Sequence, residues 1–293
     1  MSILGIGTVV LDHAVLLPDY PACDTKHSLQ KHWKQVGGPV PIALSTAAFY
    51  GSRCKFFSQW GNDESGQYIT AELTNRGLDT SLSQQSDDWE SGFAQIWTVP
   101  DGRRTIAYSR GQFPTPAVDA LSEFDFTGCQ LLHLDGWAGN LAVETARRAK
   151  QHGCKVVLDA GSVKPGIDEL LPLADILIAS SLFRQSRFGT TEVNAEQLMG
   201  LGSQSVITTH GDQGATWITT KSKHHHPGFS VDAIDTNGAG DVFSGALIHK
   251  LTEGAANEEA LEFATAVAAL SCCHYGNATL PRIAEIEKLR NAQ

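Results

Sequence analysis

The residues best suited to chemistry form one glycine-rich run, Asp235-Thr236-Asn237-Gly238-Ala239-Gly240-Asp241, which opens an apolar stretch. Glycine costs about 1 kcal/mol relative to alanine inside a helix, so packing alone does not explain this composition. At a helix N-terminus, small residues leave backbone N–H groups uncovered at the positive end of the helix dipole. Gly238, Ala239 and Gly240 are therefore predicted to bind a phosphate or a developing anion.

Asp241 follows these small residues within the first turn of the predicted helix. A carboxylate beside an anion hole can accept the proton of an attacking hydroxyl, as phosphoryl transfer requires. The alternative is that Asp235 or Asp241 only caps the helix. Because a cap needs one aspartate and no glycines, the whole run favours phosphoryl transfer with Asp241 as the general base.

The elements around this run predict an α/β fold. From about residue 130, short buried strands alternate with helices, which favours right-handed crossovers and a mostly parallel sheet with helices on both faces. The predicted strands are 3–10, 27–35, 55–60, 93–99, 105–109, 131–134, 155–158, 176–178 and 205–209, and the predicted helices are 41–50, 64–76, 141–152, 239–251, 261–272 and 283–289. Pro100-Asp101-Gly102 is a hairpin signal. Without an internal repeat or a long linker, the chain is predicted to be one domain with a small β-rich appendage.

Composition narrows the class of protein. The chain has 293 residues, 42% of them apolar, and a formal net charge of -10. No run of Lys or Arg exceeds two residues, which argues against nucleic acid or an anionic membrane as a partner. The start lacks a signal-peptide pattern, no apolar run reaches the ~20 residues of a membrane span, and the six cysteines lack CxxC spacing. These features predict a cytoplasmic enzyme.

The 235–241 run, continued by Val242-Phe243-Ser244-Gly245, resembles the signature of the ribokinase-like (PfkB) carbohydrate kinase family. The resemblance implies a single doubly wound α/β domain over 1–293, with a β-sheet lid built from segments around 13–36 and 93–110. It implies that Asp241 is the catalytic base, that Gly238, Ala239 and Gly240 form the anion hole, and that Asn237 contacts ATP. Asp235 is expected near Mg²⁺.

Further motifs in family order extend the resemblance over nearly the whole chain. Asp12 and the Gly37-Gly38 pair are implied to bind the sugar. Thr209-His210-Gly211-Asp212-Gln213-Gly214 resembles the family's TxGxxG segment, which implies that Thr209, Gly211 and Gly214 bind ATP. Gly276 follows the late helix and is implied to line the adenine pocket. A glycine after a strand is usually only a turn, so the order and spacing of these motifs carry the resemblance.

Two segments depart from the family pattern. Ile42, within Pro39-Val40-Pro41-Ile42, stands where the family has a sugar-contacting Asn, in a segment that the prolines are expected to stiffen. The Gly-Gly-Pro variant is similar to the sulfofructose kinase-like branch. Ser180-Ser181-Leu182-Phe183 replaces the family's NxxE motif, which is linked to Mg²⁺ placement. ATP phosphates and water can supply Mg²⁺ with oxygen ligands, so this departure affects the metal details rather than the reaction.

Several charged side chains have two readings. Arg103 and Arg104 on the predicted hairpin are interpreted as solvated charges, whereas Arg110 ends the second strand and is a candidate substrate-binding residue. His224-His225-His226 is interpreted as an exposed turn, because consecutive side chains on a strand alternate in direction and cannot all bind one metal ion.

The resulting hypothesis is in-line transfer of the ATP γ-phosphate to a sugar hydroxyl, with ATP and Mg²⁺ as cofactors and a sugar as the small-molecule substrate. Whether a monovalent cation such as K⁺ assists is left open by the sequence. The resemblance also implies a homodimer. The alternatives are a nucleoside kinase of the same fold and a catalytically weak sugar- or nucleotide-binding protein. A nicotinamide-dependent oxidoreductase is disfavoured because no GxGxxG turn follows the first strand.

Overall fold

The computed structural model describes residues 2–100 and 102–292. The strands are β1 (Ser2–Ile6), β2 (Val10–Leu16), β3 (Lys31–Gly37), β4 (Arg53–Phe57), β5 (Gln59–Gly61), β6 (Leu78–Asp79), β7 (Gln84–Ser86), β8 (Phe93–Thr98), β9 (Arg104–Ser109), β10 (Cys129–Leu134), β11 (Lys155–Ala160), β12 (Ile176–Ala179), β13 (Ser205–Thr209), β14 (Ala215–Thr219) and β15 (Lys223–His226). The helices are α1 (Pro39–Phe49), α2 (Glu64–Asn75), α3 (Gly139–Gln151), α4 (Ile167–Leu170), α5 (Ser181–Phe188), α6 (Ala195–Met199), α7 (Ala239–Thr252), α8 (Asn257–Ser271) and α9 (Ile283–Arg290). Asp101, inside the predicted hairpin turn, lies outside the described residues.

A large, mostly parallel sheet forms the centre of the molecule. Within the described residues it has nine strands in the order β15-β14-β13-β12-β11-β10-β1-β4-β6. In this spatial order, all neighbouring strands from β13 across to β6 are parallel. The pairs β13-β14 and β14-β15 are antiparallel and form one edge of the sheet. Strand order reverses beside β1, so the crevice at the carboxyl ends of β1 and β10 is the place where such folds bind ligands.

Helices cover both faces of this sheet, which confirms the predicted doubly wound architecture. On one face, buried residues of α1, α7 and α8 pack with Ile3, Leu131 and Val157 from the strands. On the other face, α3, α5 and α6 pack against Leu4, Leu132 and Leu158. Alternate residues of β1, β10 and β11 therefore serve opposite hydrophobic layers, as expected for strands that are buried on both faces.

A separate small sheet lies beside the carboxyl ends of the central strands. Its described strands run in the order β3-β2-β8-β9, with β2 and β8 parallel and the other neighbours antiparallel. The strand predicted over 3–10 is in fact two strands, because the chain leaves the central sheet at Gly7, whose N–H bonds to Phe57 O at 3.3 Å. A Cβ on Gly7 would overlap Val40, so this crossing accepts only glycine without displacement.

The exposed turn predicted for His224-His225-His226 is wrong, because these residues form the edge strand β15. Thr219 closes the preceding hairpin, where its Oγ1 accepts the backbone N–H of Ser222 at 2.9 Å. The rings alternate as expected, since His224 contacts Glu258 at 2.7 Å and His225 contacts Thr216 at 3.0 Å. The same alternation separates the three rings and prevents them from binding one metal ion together.

No helix in the described part of the chain is long and apolar enough to cross a membrane.

Candidate active site

Two cavities formed by described residues flank the N-terminus of α7. The first cavity, about 490 Å³, lies between the small sheet and the carboxyl ends of the central strands. Its lining includes Asp12, Gly38, Arg110, Lys164, Asn237, Gly238 and Asp241. The second cavity, about 540 Å³, is lined in part by Thr209, Gly211, Gly214, Ala239 and Gly240. The structure thus brings most of the predicted site residues to two sides of one helix end.

The first turn of α7 is open to an anion. Gly238 occupies the N-cap position with φ of 79°, a left-handed conformation that glycine adopts without strain, and no described side chain caps the helix there. A Cβ placed on Gly240 would meet no described atom within 4 Å. Uncapped N–H groups beside free space and at the positive end of the helix dipole are suited to hold a phosphoryl group.

Close packing of α7 against α1 fixes this helix end. A Cβ on Gly245 would overlap Ala43 O and stand 2.6 Å from Thr46 Cβ, so glycine lets the two helices approach. Pro39 starts α1 at a position where its missing N–H leaves no intrahelical bond unmade. The segment expected to be a stiff loop at Pro39 is therefore the first turn of α1, and it presents Ile42 to the first cavity.

Asp235 and Gly276 hold the loop before α7. Both oxygens of the buried Asp235 carboxylate accept backbone N–H groups, from Asn237 at 2.9 Å and from Gly276 at 2.9 Å. Gly276 faces Trp33 and Gln35, where a Cβ would stand 2.5 Å from Gln35 Oε1. These contacts place both residues under the loop before α7 rather than against the open part of the second cavity.

Asp12 lies in β2, is 5% exposed and lines the first cavity. Gln35 Nε2 donates to its Oδ2 at 3.2 Å. Burial raises the pKa of Asp12 to about 6, and the Gln35 hydrogen bond partly offsets this effect. A Cβ on Gly37 would overlap this carboxylate, and one on Gly38, whose φ is 112°, would overlap Thr8 O. The glycine pair therefore lets β3 and α1 come close to Asp12.

Asp241 stands among other carboxylates. Burial, followed by the nearby charges of Asp159 and Asp135, raises the pKa of Asp241 well above its usual value. Asp159, at the end of β11, accepts a hydrogen bond from Ser244 Oγ at 2.7 Å, and burial raises its pKa to about 6. A carboxylate with a raised pKa is a stronger base once ionised, which suits a group that must take a proton.

Lys164 supplies the positive charge that opposes this cluster of carboxylates, and it was not among the residues predicted from the sequence. Its Nζ lies 3.2 Å from Asp135 Oδ2 and also donates to the backbone carbonyl of Asp135 at 2.6 Å. Asp135 in turn accepts the backbone N–H of Thr8 at 3.0 Å and of Trp137 at 2.8 Å. Asp135 could have been suspected because it follows a buried parallel strand, whereas no local pattern marks Lys164.

Arginines connect the surroundings of the second cavity. Arg184, buried at 2% exposure, donates to Ala179 O at 2.6 Å and to Thr209 O at 3.1 Å. It thereby fixes the strand ends beside the second cavity.

Arg104 is not only a solvated charge, because its Nη1 donates to Thr236 Oγ1 at 3.0 Å. This hydrogen bond joins the small sheet to the loop before α7. Arg103 lies over the Tyr20 ring, 5.8 Å from its centroid.

The segment 180–183, which replaces the NxxE motif, forms the start of α5. Ser180 caps α5 and accepts the N–H of Phe183 at 3.0 Å, and Phe183 is fully buried. Within residues 2–100 and 102–292, no group of three or more His, Cys, Asp or Glu side chains is arranged to hold a metal ion.

The fold and this site define a phosphotransferase of the α/β class. The family model described as pfkB family carbohydrate kinase matches residues 9–283, and the chain belongs to this family. It is 28% identical over 284 residues to a ribokinase of Haemophilus influenzae, with 92% of each chain covered. It is 26% identical to an ATP-dependent ribose-1-phosphate kinase of Halopiger xanaduensis, covering 96% of this chain and 95% of the relative.

Solved structures show the same fold. A putative ribokinase II from E. coli, in complex with ATP and Mg²⁺, superimposes with a TM-score of 0.85 at 20% identity. The match covers 100% of this chain and 99% of that chain. The family and fold predictions are therefore confirmed, and the chain is an ATP-dependent kinase of this family. The more specific resemblance to the sulfofructose kinase-like branch stays a prediction.

Proposed function

We propose that this protein transfers the γ-phosphate of ATP to a hydroxyl of a sugar held in the first cavity, with Asp241 as the general base. The observation that carries the proposal is the placement of the α7 N-terminus between two cavities. Gly238 and Asp241 face the first cavity, while Ala239 and Gly240 face the second. Sugar and ATP can then approach one helix end from opposite sides, as in-line transfer requires.

Each group at the site has a separate task in this mechanism. Asp12 accepts hydrogen bonds from sugar hydroxyls, and Gly37 and Gly38 allow the close approach of the backbone. Asp241 takes the proton from the attacking hydroxyl as the bond to phosphorus forms. The N–H groups at the start of α7 stabilise the negative charge on the transferring phosphoryl group. Arg110, which also lines the first cavity, binds the substrate.

The nucleotide lies in the second cavity, where Thr209, Gly211 and Gly214 approach it from the end of β13. Asp235 positions the loop through two backbone hydrogen bonds rather than binding metal directly. Mg²⁺ would be held mainly by ATP oxygens and water at this site, and it would neutralise charge on the phosphates. The E. coli structure, solved with ATP and Mg²⁺, supports this pair of cofactors.

Replacing the base tests the mechanism directly. Asp241→Asn keeps the shape of the side chain but removes its ability to accept the proton, so kcat should fall by about 100- to 10,000-fold. The affinity for ATP, measured by calorimetry, should change little. Asp88→Asn is a matched control, because Asp88 is exposed and lies outside the lining of both cavities. Asp241→Asn with unchanged kcat would refute the proposed base.

A nucleoside is the second candidate substrate. Much of the first cavity is apolar, with Ile42, Ile96, Ile106 and Tyr108 among its lining residues. Such a wall could contact a base, whereas a bare sugar needs more hydrogen-bonding partners. Turnover with pentoses, ketohexoses, sugar acids and sugar phosphates should therefore be compared with turnover of nucleosides. Higher kcat/KM for a nucleoside would identify the second candidate, and ATP binding without turnover of any compound would indicate a binding protein.

A further inference from the structure

A chain of buried hydrogen bonds starts at the carboxylate in the first cavity. Gln35 Nε2 donates to Asp12 Oδ2 at 3.2 Å. The oxygen of the same amide, Gln35 Oε1, accepts the backbone N–H of Asn277 at 3.1 Å and the indole N–H of Trp33 at 3.1 Å. One side chain thus holds Asp12 with its nitrogen and the 276–277 segment with its oxygen.

The 276–277 segment in turn is hydrogen-bonded to the loop before α7, residues 235–238, which is called the anion-hole loop below. Gly276 N–H donates to Asp235 Oδ2 at 2.9 Å, and Asp235 Oδ1 accepts Asn237 N–H at 2.9 Å. The side chain of Asn277 also lies beside the first turn of α7, since its Cβ is 3.7 Å from the place where a Cβ on Gly238 would stand. The hydrogen bonds therefore run from the first cavity to the residues that form the anion hole.

The chain is buried along its length. Asp12, Gln35, Asp235 and Asn277 are 5%, 3%, 6% and 4% exposed. Buried hydrogen bonds act in a low-dielectric environment, and an unpaired buried partner is costly, so a displacement at one end disturbs the other. Gly276 is required for the contact, because a Cβ there would stand 2.5 Å from Gln35 Oε1 and 2.9 Å from Trp33 Nε1.

We propose that Gln35 is a positioning residue that couples occupation of the first cavity to the geometry of the anion hole, so that sugar and ATP bind synergistically. The inference rests on the proposed function and adds to it the residue that links the two sites. A sugar hydroxyl bonded to Asp12 fixes that carboxylate and, through Gln35, the 276–277 segment and the loop above it. By thermodynamic linkage, bound ATP must then strengthen sugar binding by the same factor.

Gln35→Met tests the coupling, because methionine has a similar length but neither an amide donor nor an amide acceptor. Gln95→Met is the matched control. Gln95 lies on β8 of the same small sheet, and its Nε2 donates to the backbone carbonyl of His13 at 3.0 Å rather than to the side chain of Asp12 or to Asn277. Both variants lose one side-chain amide of the small sheet, but only Gln35→Met interrupts the hydrogen bonds to the anion-hole loop.

The measurement is the Kd of AMP-PNP with Mg²⁺, by calorimetry, without sugar and with a saturating amount of the sugar that the wild-type enzyme turns over fastest. In the wild-type protein and in Gln95→Met, the sugar should lower this Kd by about fivefold or more. In Gln35→Met, the ratio of the two Kd values should fall close to one, with little change in the Kd measured without sugar. The KM for ATP at saturating sugar should rise accordingly.

Gln35→Leu keeps the proposal testable if the methionine variant does not fold. Leucine likewise has neither an amide donor for Asp12 nor an amide acceptor for Asn277 and Trp33, so the ratio should again approach one. A wild-type ratio in either folded variant, or a ratio of one in the wild-type protein, would overturn the coupling while leaving the kinase proposal intact. Absence of turnover with every sugar and nucleoside would instead refute the proposed function, and the inference with it.

Discussion

The charges that act on Asp241 come from three carboxylates and from Lys164. Burial, followed by Asp159 and Asp135, raises the pKa of Asp241, and the ammonium of Lys164 opposes this rise. Lys164 is paired with Asp135 at 3.2 Å and lines the same cavity as Asp241. The protonation state of the proposed base therefore depends on Lys164 as well as on the surrounding acids: Asp12, Asp135 and Asp159.

Lys164→Met should shift the pH profile of kcat. The ammonium lowers the pKa of Asp241, so its removal raises that pKa further, and a larger fraction of the base is protonated at neutral pH. We expect kcat to fall most near neutral pH and to recover partly at alkaline pH, measured from about pH 6 to 9.5. Lys150→Met is the control, because Lys150 pairs with Asp175 at 2.7 Å outside the lining of either cavity. A profile parallel to that of the wild-type enzyme would contradict the prediction.

The buried carboxylate of Asp12, proposed to bind the sugar, should lower the free energy of unfolding. Its folded-state pKa of about 6 exceeds the usual 3.8, so between these values the folded protein binds more protons than the unfolded chain. The free energy of unfolding attributable to Asp12 therefore decreases as pH rises through this window. Asp12→Asn should be more stable than wild type by about 1–3 kcal/mol near pH 8, and equally stable below about pH 4, in urea denaturation. Asp88→Asn, an exposed control, should change neither value, and equal stabilities of Asp12→Asn and wild type near pH 8 would contradict the assignment.

At the scale of elements, the site is made where a helix end, two strand ends and the small sheet converge. The α7 N-terminus is fixed by its glycine contact with α1, and β10 and β11 lead to Asp135 and Lys164. The small sheet reaches the loop before α7 through Arg104 on β9. We propose that this sheet is the lid of the first cavity and that Arg104 holds it against the loop before α7.

Arg104→Leu should weaken that hold. A hydrogen bond from a charged group to a neutral acceptor stabilises by about 1 kcal/mol or more, so kcat/KM should fall by about fivefold while the fold is retained. Thr105→Val is the control, because Thr105 lies on the same strand but donates to Tyr20 Oη at 3.3 Å instead. The measurement is kcat/KM of both variants in steady-state kinetics. Equal values for Arg104→Leu and Thr105→Val would contradict the proposed role of Arg104.

At the scale of the whole molecule, β9 leaves an apolar surface uncovered. Ile106 and Tyr108 are 44% and 64% exposed, and both line the first cavity. We propose that a second copy of the chain packs its small sheet against this face and forms a homodimer, which would also enclose the cavity.

Sedimentation velocity at micromolar concentration should show the wild-type protein as a dimer, and Ile106→Lys should shift it towards the monomer because a buried charge opposes association. Val118→Lys alters another exposed apolar residue, 51% exposed and outside the small sheet, and should remain dimeric. A wild-type protein that sediments as a monomer at every concentration would rule out the dimer.

The features of this protein that depend on local spacing could be predicted from the order of its residues. The 235–241 run predicted a helix N-terminus with Asp241 in its first turn, and α7 begins at Ala239 as expected. Alternating apolar segments predicted the parallel sheet. These predictions succeeded because a helix N-terminus and a buried strand are built from consecutive residues, whose types are constrained by neighbours along the chain.

The pairs of distant residues that meet at the site became visible only in the folded protein. Gln35 and Asn277 are separated by 242 residues, and Arg104 and Thr236 by 132, yet each pair is hydrogen-bonded. Lys164 follows β11 without any motif, and its importance comes from the acids that other strands bring to it. The division of one strand at Gly7 likewise depends on contact with Val40 in α1. Such pairings depend on sheet order and helix packing, which local residue types do not encode individually.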